Sequence, residues 1–146
     1  MSTFERFDVG DVITTPARPI ADDALEVVRA LGGYVHPLFN DESYAHAAGF
    51  TSVPLPGELV LFILGGMAEQ SEVFDDTTIA LTRLDDVRFI GAVHVGDTIA
   101  LAMEVIAKRR STSGRRGSLT LRWRCTNQDA ADIVRADATL LFRVEP

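Results

Sequence analysis

The chain has 146 residues, 47% of them hydrophobic and 24% charged, with a net charge of −7, and this length predicts one domain, residues 1–146, around one solid core. The acidic balance argues against a nucleic-acid partner, which asks for a basic face, and against electrostatic docking on an anionic membrane. The longest apolar run, Leu59 to Ala68, is too short to span a bilayer; Met1 to Arg6 lacks the plan of a signal peptide; and the lone Cys125 leaves no internal disulfide, so a cytoplasmic protein is expected.

Val9-Gly10-Asp11 and Val95-Gly96-Asp97 are both Gly-Asp turns feeding β-rich segments. The first helix is predicted over Asp23–Leu31: Ala24, Val27, Val28 and Leu31 share one helical face, Asp23 and Glu26 have capping-box spacing, and Gly32-Gly33 ends it. A short helix is expected over Asp41–Ala48, then an extended Pro54-Leu55-Pro56. A third helix, Gly57–Gln70, is apolar on nearly every face and should be buried. Gly65 and Gly66 inside it cost about 1 kcal/mol each against alanine, which predicts close approach by a backbone or a ligand.

Strands are predicted at Ile79–Leu84, Val87–Ile90, Thr98–Lys108, Ser118–Thr126 and Ile133–Val144. In the fourth, Leu119, Leu121, Trp123 and Cys125 alternate with polar residues; in the fifth, Val134 through Val144 do the same. One-sided alternation predicts an antiparallel sheet with one covered face, and the third helix is the apolar body able to cover it. The predicted class is α+β, a curved antiparallel sheet around a long central helix.

The chain carries no P-loop, nucleophile elbow, dinucleotide fingerprint or HExxH, and its three histidines lack metal-ligand spacing, so no cofactor or metal is expected. Chemistry concentrates between Gly32 and Gly57. An extended backbone would put Tyr34 and His36 on one side, a phenol beside an imidazole able to act as acid or base; a loop histidine bonded locally is the plainer alternative. Asp41 suits either orienting His36 or capping the short helix. Glu58 is either a first-turn acid favoured by the helix dipole or a carboxylate aimed into a site. Lys108, Arg109, Arg110, Arg115 and Arg116 flank a hairpin, as solvated charge or as a phosphate-binding patch.

These residues resemble the MaoC-like hydratases, the family of (R)-specific enoyl-CoA hydratases and related dehydratases with the hot-dog fold. The family motif Asp-x-Asn-Pro-Leu-His-x-Asp corresponds to Tyr34-Val35-His36-Pro37-Leu38-Phe39-Asn40-Asp41, with Phe50 and Gly57 following in place. Looser matches are Val87-Arg88-Phe89, Val95-Gly96-Asp97-Thr98 and Asn127-Gln128. The resemblance spans nearly the whole chain. It implies a homodimer, an acyl-CoA or acyl-carrier thioester substrate, a Gly57 N–H that polarises the thioester carbonyl, and Arg109, Arg110, Arg115 and Arg116 near the CoA phosphates.

The motif's Asp position holds Tyr34 and its His position holds Phe39, which cannot move a proton. The expected function is hydration or dehydration of an acyl thioester by an atypical set, with His36 as base, Tyr34 assisting and Gly57 as oxyanion donor. Asp41, Phe39 and Glu58 are expected to line the substrate site. Alternatives are a hot-dog acyl-CoA thioesterase using Glu58, a catalytically inactive acyl-thioester-binding module or subunit, and a ring-bearing substrate that is not a thioester.

Overall fold

A computed structural model describes residues 2–145; Met1 and Pro146, the ends of the expected 1–146 domain, lie outside the described residues. In chain order it runs α1 (Thr3–Arg6), β1 (Val12–Thr14), β2 (Arg18–Pro19), α2 (Ala24–Ala30), a 3-10 turn (Pro37–Phe39), α3 (Glu42–Ala47), α4 (Gly57–Glu69), β3 (Thr78–Phe89), β4 (Thr98–Arg110), β5 (Arg116–Thr126) and β6 (Asp132–Arg143). The strands form one antiparallel sheet in the order β1-β4-β5-β6-β3, with β2 also paired to β4. The sheet curls around α4, the α+β hot-dog arrangement.

The alternation in the sequence becomes the core. Leu119, Leu121, Trp123 and Cys125 of β5 and Ala138, Leu140 and Phe142 of β6 are buried against Val60, Leu64 and Met67 of α4. Each fully buried large apolar side chain contributes roughly 1.5–3 kcal/mol. Desolvation pushes the Cys125 thiol up to about 11, the behaviour of an inert core cysteine.

Three expectations change. Asp23 precedes α2 in helical geometry, with φ −80° and ψ −2°, so its side chain makes no capping bond; a working N-cap needs extended φ and ψ. The two short strands at 79–90 are one strand, β3. Bulges interrupt its pairing with β6, and Asp86 turns to φ 49° where the alternation breaks. Helix α4 is not covered all round: Val60, Leu64, Met67 and Ala68 are buried, but Phe62 is 72% exposed. Neither helix glycine meets a backbone: a Gly65 β-carbon would have nothing within 4 Å, and a Gly66 β-carbon would stand 3.5 Å from the Arg18 side chain, which donates to Gln70 Oε1 at 2.7 Å.

Register defines two ends of the sheet. At one end Arg110 faces Gly117, Gly117 faces Phe142 and Phe142 faces Thr78; at the other Leu101 faces Cys125, Cys125 faces Val134 and Val134 faces Phe89. At the strand rise of about 3.3 Å per residue, the ends lie roughly 25 Å apart.

Helix α1 closes the first end. Ser2 and Glu5 form a reciprocal capping box, the Phe4 ring packs on Gly117, and Asp75 Oδ2 accepts from Thr3 N at 2.7 Å and Thr3 Oγ1 at 2.8 Å. Burial pushes the Asp75 carboxyl up, but hydrogen bonds from Thr77 and Thr3 outweigh it and hold it below the ordinary aspartate value. The folded chain therefore takes up this proton less readily than the unfolded chain. The stabilisation is complete above the ordinary aspartate pKa of about 3.9 and is lost as pH falls through the depressed folded value. Asp75→Asn should flatten the acid limb of the unfolding temperature between about pH 5 and pH 2; an acid limb as steep as wild type would remove Asp75 from the account.

Candidate active site at the start of α4

Pro37 ends the extended run of the motif loop and starts a 3-10 turn, which makes His36 its N-cap at φ −63° and ψ 139°. The imidazole folds back so that Nδ1 accepts from Leu38 N at 3.1 Å, and the ring meets Tyr44 edge-on at 5.5 Å. Asn40 Nδ2 ties the loop further by donating to His36 O at 2.9 Å and Tyr34 O at 3.2 Å. Asp41 caps α3, its Oδ1 accepting from Ser43 N at 2.9 Å and Tyr44 N at 3.3 Å.

Tyr34 points elsewhere. Its ring stands edge-on to Phe39 at 5.1 Å, and its hydroxyl donates to Glu58 Oε2 at 3.0 Å. The hydrogen bond to Glu58 raises the phenol above its ordinary value, with desolvation and the carboxylate's charge adding to it. Tyr34 thus stays a protonated donor across the neutral range.

Glu58 is the second residue of α4. The helix starts at Gly57 behind Pro56, and no side chain caps it. Its first N–H groups have no intrahelical acceptor and carry the positive end of the helix dipole, a ready oxyanion site. A cleft of about 460 Å³ opens here, walled by Phe39, Phe50, Gly57, Glu58, Phe89 and Val134 among others. The Phe89 ring lies so close to Gly57 that a β-carbon there would fall 2.5 Å from it. The chemistry the arrangement offers is a carboxylate steadied by a phenol, beside free N–H groups, in a mostly apolar cleft.

The structure therefore brings together Tyr34, Phe39, Gly57 and Glu58. His36 lies beside Tyr44, outside the cleft wall, and Asp41 is occupied at α3. Arg109, Arg110, Arg115 and Arg116 sit at the other end of the sheet, where Arg110 donates to Gly114 O and stacks over the Phe4 ring. The other histidines are hydrogen-bonded too: His46 Nε2 locally to Thr51 O at 2.9 Å, and His94 Nδ1, across 42 residues, with Ser52 Oγ at 3.0 Å. Among the described residues no cluster of His, Cys, Asp or Glu could hold a metal, and no helix is long and apolar enough to cross a membrane. Phe89 was visible in the sequence only as part of Val87-Arg88-Phe89. The Tyr34–Glu58 contact, 24 residues apart, had no local signal.

Residues 7–122 match the family described as MaoC like domain. Among solved structures, the chain is similar to a monoamine oxidase regulatory protein from Archaeoglobus, with 29% identity and a TM-score of 0.88 over 98% of this chain and 95% of that one. It is similar in fold to unliganded R-hydratase PhaJ1 from Pseudomonas aeruginosa, at 21% identity and TM-score 0.75 over 98% and 90% of the two chains. It is also similar in fold to the C-terminally truncated HadBC (3R-hydroxyacyl-ACP dehydratase) complex from Mycobacterium tuberculosis, at 21% identity and TM-score 0.73 over 92% and 98%. A search of curated proteins finds no match.

Proposed function

The chain belongs to the MaoC-like domain family, and we propose that it hydrates a 2-enoyl thioester, or runs the reverse dehydration, with Glu58 in the proton-handling role. The observation that carries this is the Tyr34 hydroxyl donating to Glu58 at 3.0 Å beside the uncapped start of α4. The motif positions given to an acid and a base in the family hold Tyr34 and Phe39, and the carboxylate reaching the same cleft is Glu58.

In the hydration direction the thioester carbonyl rests at the Gly57 end of α4. Water adds to the β-carbon as Glu58 takes its proton. The electron pair of the C=C bond moves toward the carbonyl, and the enolate oxygen is held by the helix N–H groups. Glu58 then returns the proton to the α-carbon, so one water is consumed and the carboxylate is regenerated. Tyr34 keeps the carboxylate oriented; Phe39 and Phe89 supply apolar walls.

The span 1–146 is read as one domain acting on an acyl-CoA or acyl-carrier thioester as a homodimer. Strand β3 is a sheet edge with exposed Ile79, Leu81 and Leu84, and Phe62 of α4 is exposed too. Such an apolar edge invites a second copy. A single-chain mass in sedimentation would remove the dimer.

The test is turnover of a short 2-enoyl-CoA followed by loss of the conjugated double bond, alongside a thiol assay with the saturated acyl-CoA. Loss of the double bond without thiol release is expected. Thiol release from the saturated substrate would replace hydration by hydrolysis at the same Glu58. Binding of thioester without turnover of either kind would leave a binding module.

A further inference from the structure

The turns at Val95-Gly96-Asp97 and Asn127-Gln128 have no part in the chemistry above, yet hydrogen bonds join them. Gln128 Nε2 donates to Asp97 Oδ1 at 3.0 Å, and Gln128 Oε1 accepts from Thr98 N at 3.1 Å. The other Asp97 oxygen accepts from His94 N at 2.8 Å. The backbone of His94 is thereby fixed to two turns of the sheet, while its half-buried side chain reaches the loop ahead of α4. Nδ1 lies 3.0 Å from Ser52 Oγ and 3.3 Å from Val53 O, and the ring meets Phe50 at 6.3 Å, inclined by 65°. A carbonyl only accepts, so the two contacts together put the hydrogen on Nδ1.

The segments this imidazole ties are two sides of the cleft at the start of α4. Phe50, Pro54 and Leu55 wall it from the loop; Gly91, Ala92 and Val93 wall it from the connection between β3 and β4. Backbone joins the two sides next to His94: Leu55 N donates to Val93 O at 2.8 Å, and Pro54 forms an isolated bridge with His94. On the side away from His94 the loop is held by α3, where Phe50 N donates to Ala45 O at 3.0 Å and His46 Nε2 lies 2.9 Å from Thr51 O. The position of the loop between these two holds sets how far Phe50 stands into the cleft. His94 itself is not in the cleft wall, so it acts through Phe50. A methylene gained or lost against such an apolar wall is worth about fourfold in binding.

Resting on the hydratase reading above, we infer that His94 is a positioning residue: its tether to Ser52 and Val53 fixes Phe50 in the cleft wall and so sets the length of acyl group the cleft prefers.

The experiment compares wild type with His94→Ala, His94→Asn and His94→Phe on the four-carbon and eight-carbon 2-enoyl-CoA thioesters. With the loop untethered, His94→Ala should lose about tenfold in kcat/KM on the four-carbon substrate, mostly through KM, and about threefold at most on the eight-carbon one. Asparagine has an amide N–H for Ser52 Oγ and Val53 O, so His94→Asn should recover the wild-type ratio between the two substrates. Phenylalanine keeps a ring beside Phe50 without the tether, so His94→Phe should behave like His94→Ala. A histidine that only stabilised the fold would lower the unfolding temperature and leave the ratio where it was. An unchanged ratio in His94→Ala, or no recovery in His94→Asn, overturns the inference while leaving the hydratase reading intact. Should His94→Ala fail to fold, Ser52→Ala, which keeps the imidazole, must shift the ratio in the same direction; no shift there overturns the inference as well. If wild type turns over neither substrate, the hydratase reading fails, and calorimetry with butyryl-CoA and octanoyl-CoA decides this one. The same shift in the ratio of affinities supports it; an unchanged ratio, or no binding to wild type, overturns it.

Discussion

Replacing Glu58 by glutamine should lower the hydration rate by about two to four orders of magnitude, the range lost when a positioned acid–base group is removed. At about 1.36 kcal/mol per tenfold, that is roughly 3–5 kcal/mol of transition-state stabilisation. Glutamine keeps an oxygen to accept the Tyr34 hydroxyl, so the 3.0 Å contact and the local structure can persist while proton transfer is lost. The loss should fall on kcat, with KM for the thioester within a few-fold of wild type. His36→Ala in the same assay should keep kcat near wild type, because the imidazole serves the 3-10 turn through Leu38 N and stands against Tyr44. Its cost should appear as stability, about 1 kcal/mol for a lost cap. The opposite pattern, an active Glu58→Gln and a dead His36→Ala, would return the base to His36 and sink the role of Glu58.

The contrast between these two residues shows where the sequence was legible. Placing Tyr34 and His36 on one side assumed only that the backbone from Tyr34 to His36 is extended. Pro37 then opens a 3-10 turn, His36 becomes its cap, and a side-chain-to-backbone bond two residues on takes the imidazole away. Local competition of this kind decides where a polar side chain goes, and a two-residue spacing rule does not contain it. The pairing of Tyr34 with Glu58 depends on how the motif loop crosses the start of α4, a tertiary fact with no periodicity.

The sheet was readable for the opposite reason. Leu119 to Cys125 and Val134 to Val144 alternate because each strand has one covered face, and all these inward residues are buried as expected. Strand β3 hid its continuity because its bulges, and Asp86 at positive φ, break the period of two. Helix α1 was missed for its length of four residues, though Ser2 and Glu5 have capping-box spacing. Helix α4 ends within one residue of its predicted bound, but its face carrying Phe62, beside β2 and the start of α2, stays open within the chain. A single sequence can say that such a face needs cover without saying that the same chain fails to supply it.

Gly57→Ala should carry the second large effect, and its partner is Phe89. The new β-carbon would lie 2.5 to 2.9 Å from three atoms of the Phe89 ring, distances at which something must move. Phe89 is 52% exposed, so the ring can swing rather than force the helix to shift. It swings within the cleft it walls, across the face where the thioester carbonyl is proposed to sit. The stability cost should therefore stay near the low end of the roughly 1–3 kcal/mol range for overpacking. The kinetic loss should be larger, about 10- to 100-fold in kcat/KM, because misplacing a carbonyl by about an ångström from its donors costs on that order. Phe89→Ala removes the obstruction, so Gly57→Ala in that background should recover most of the loss. A coupling of at least 0.5 kcal/mol between the two sites is expected, as for residues in contact. Additive losses in this double-mutant cycle would mean that Gly57 matters for its own backbone alone, and the ring would no longer explain why glycine opens α4.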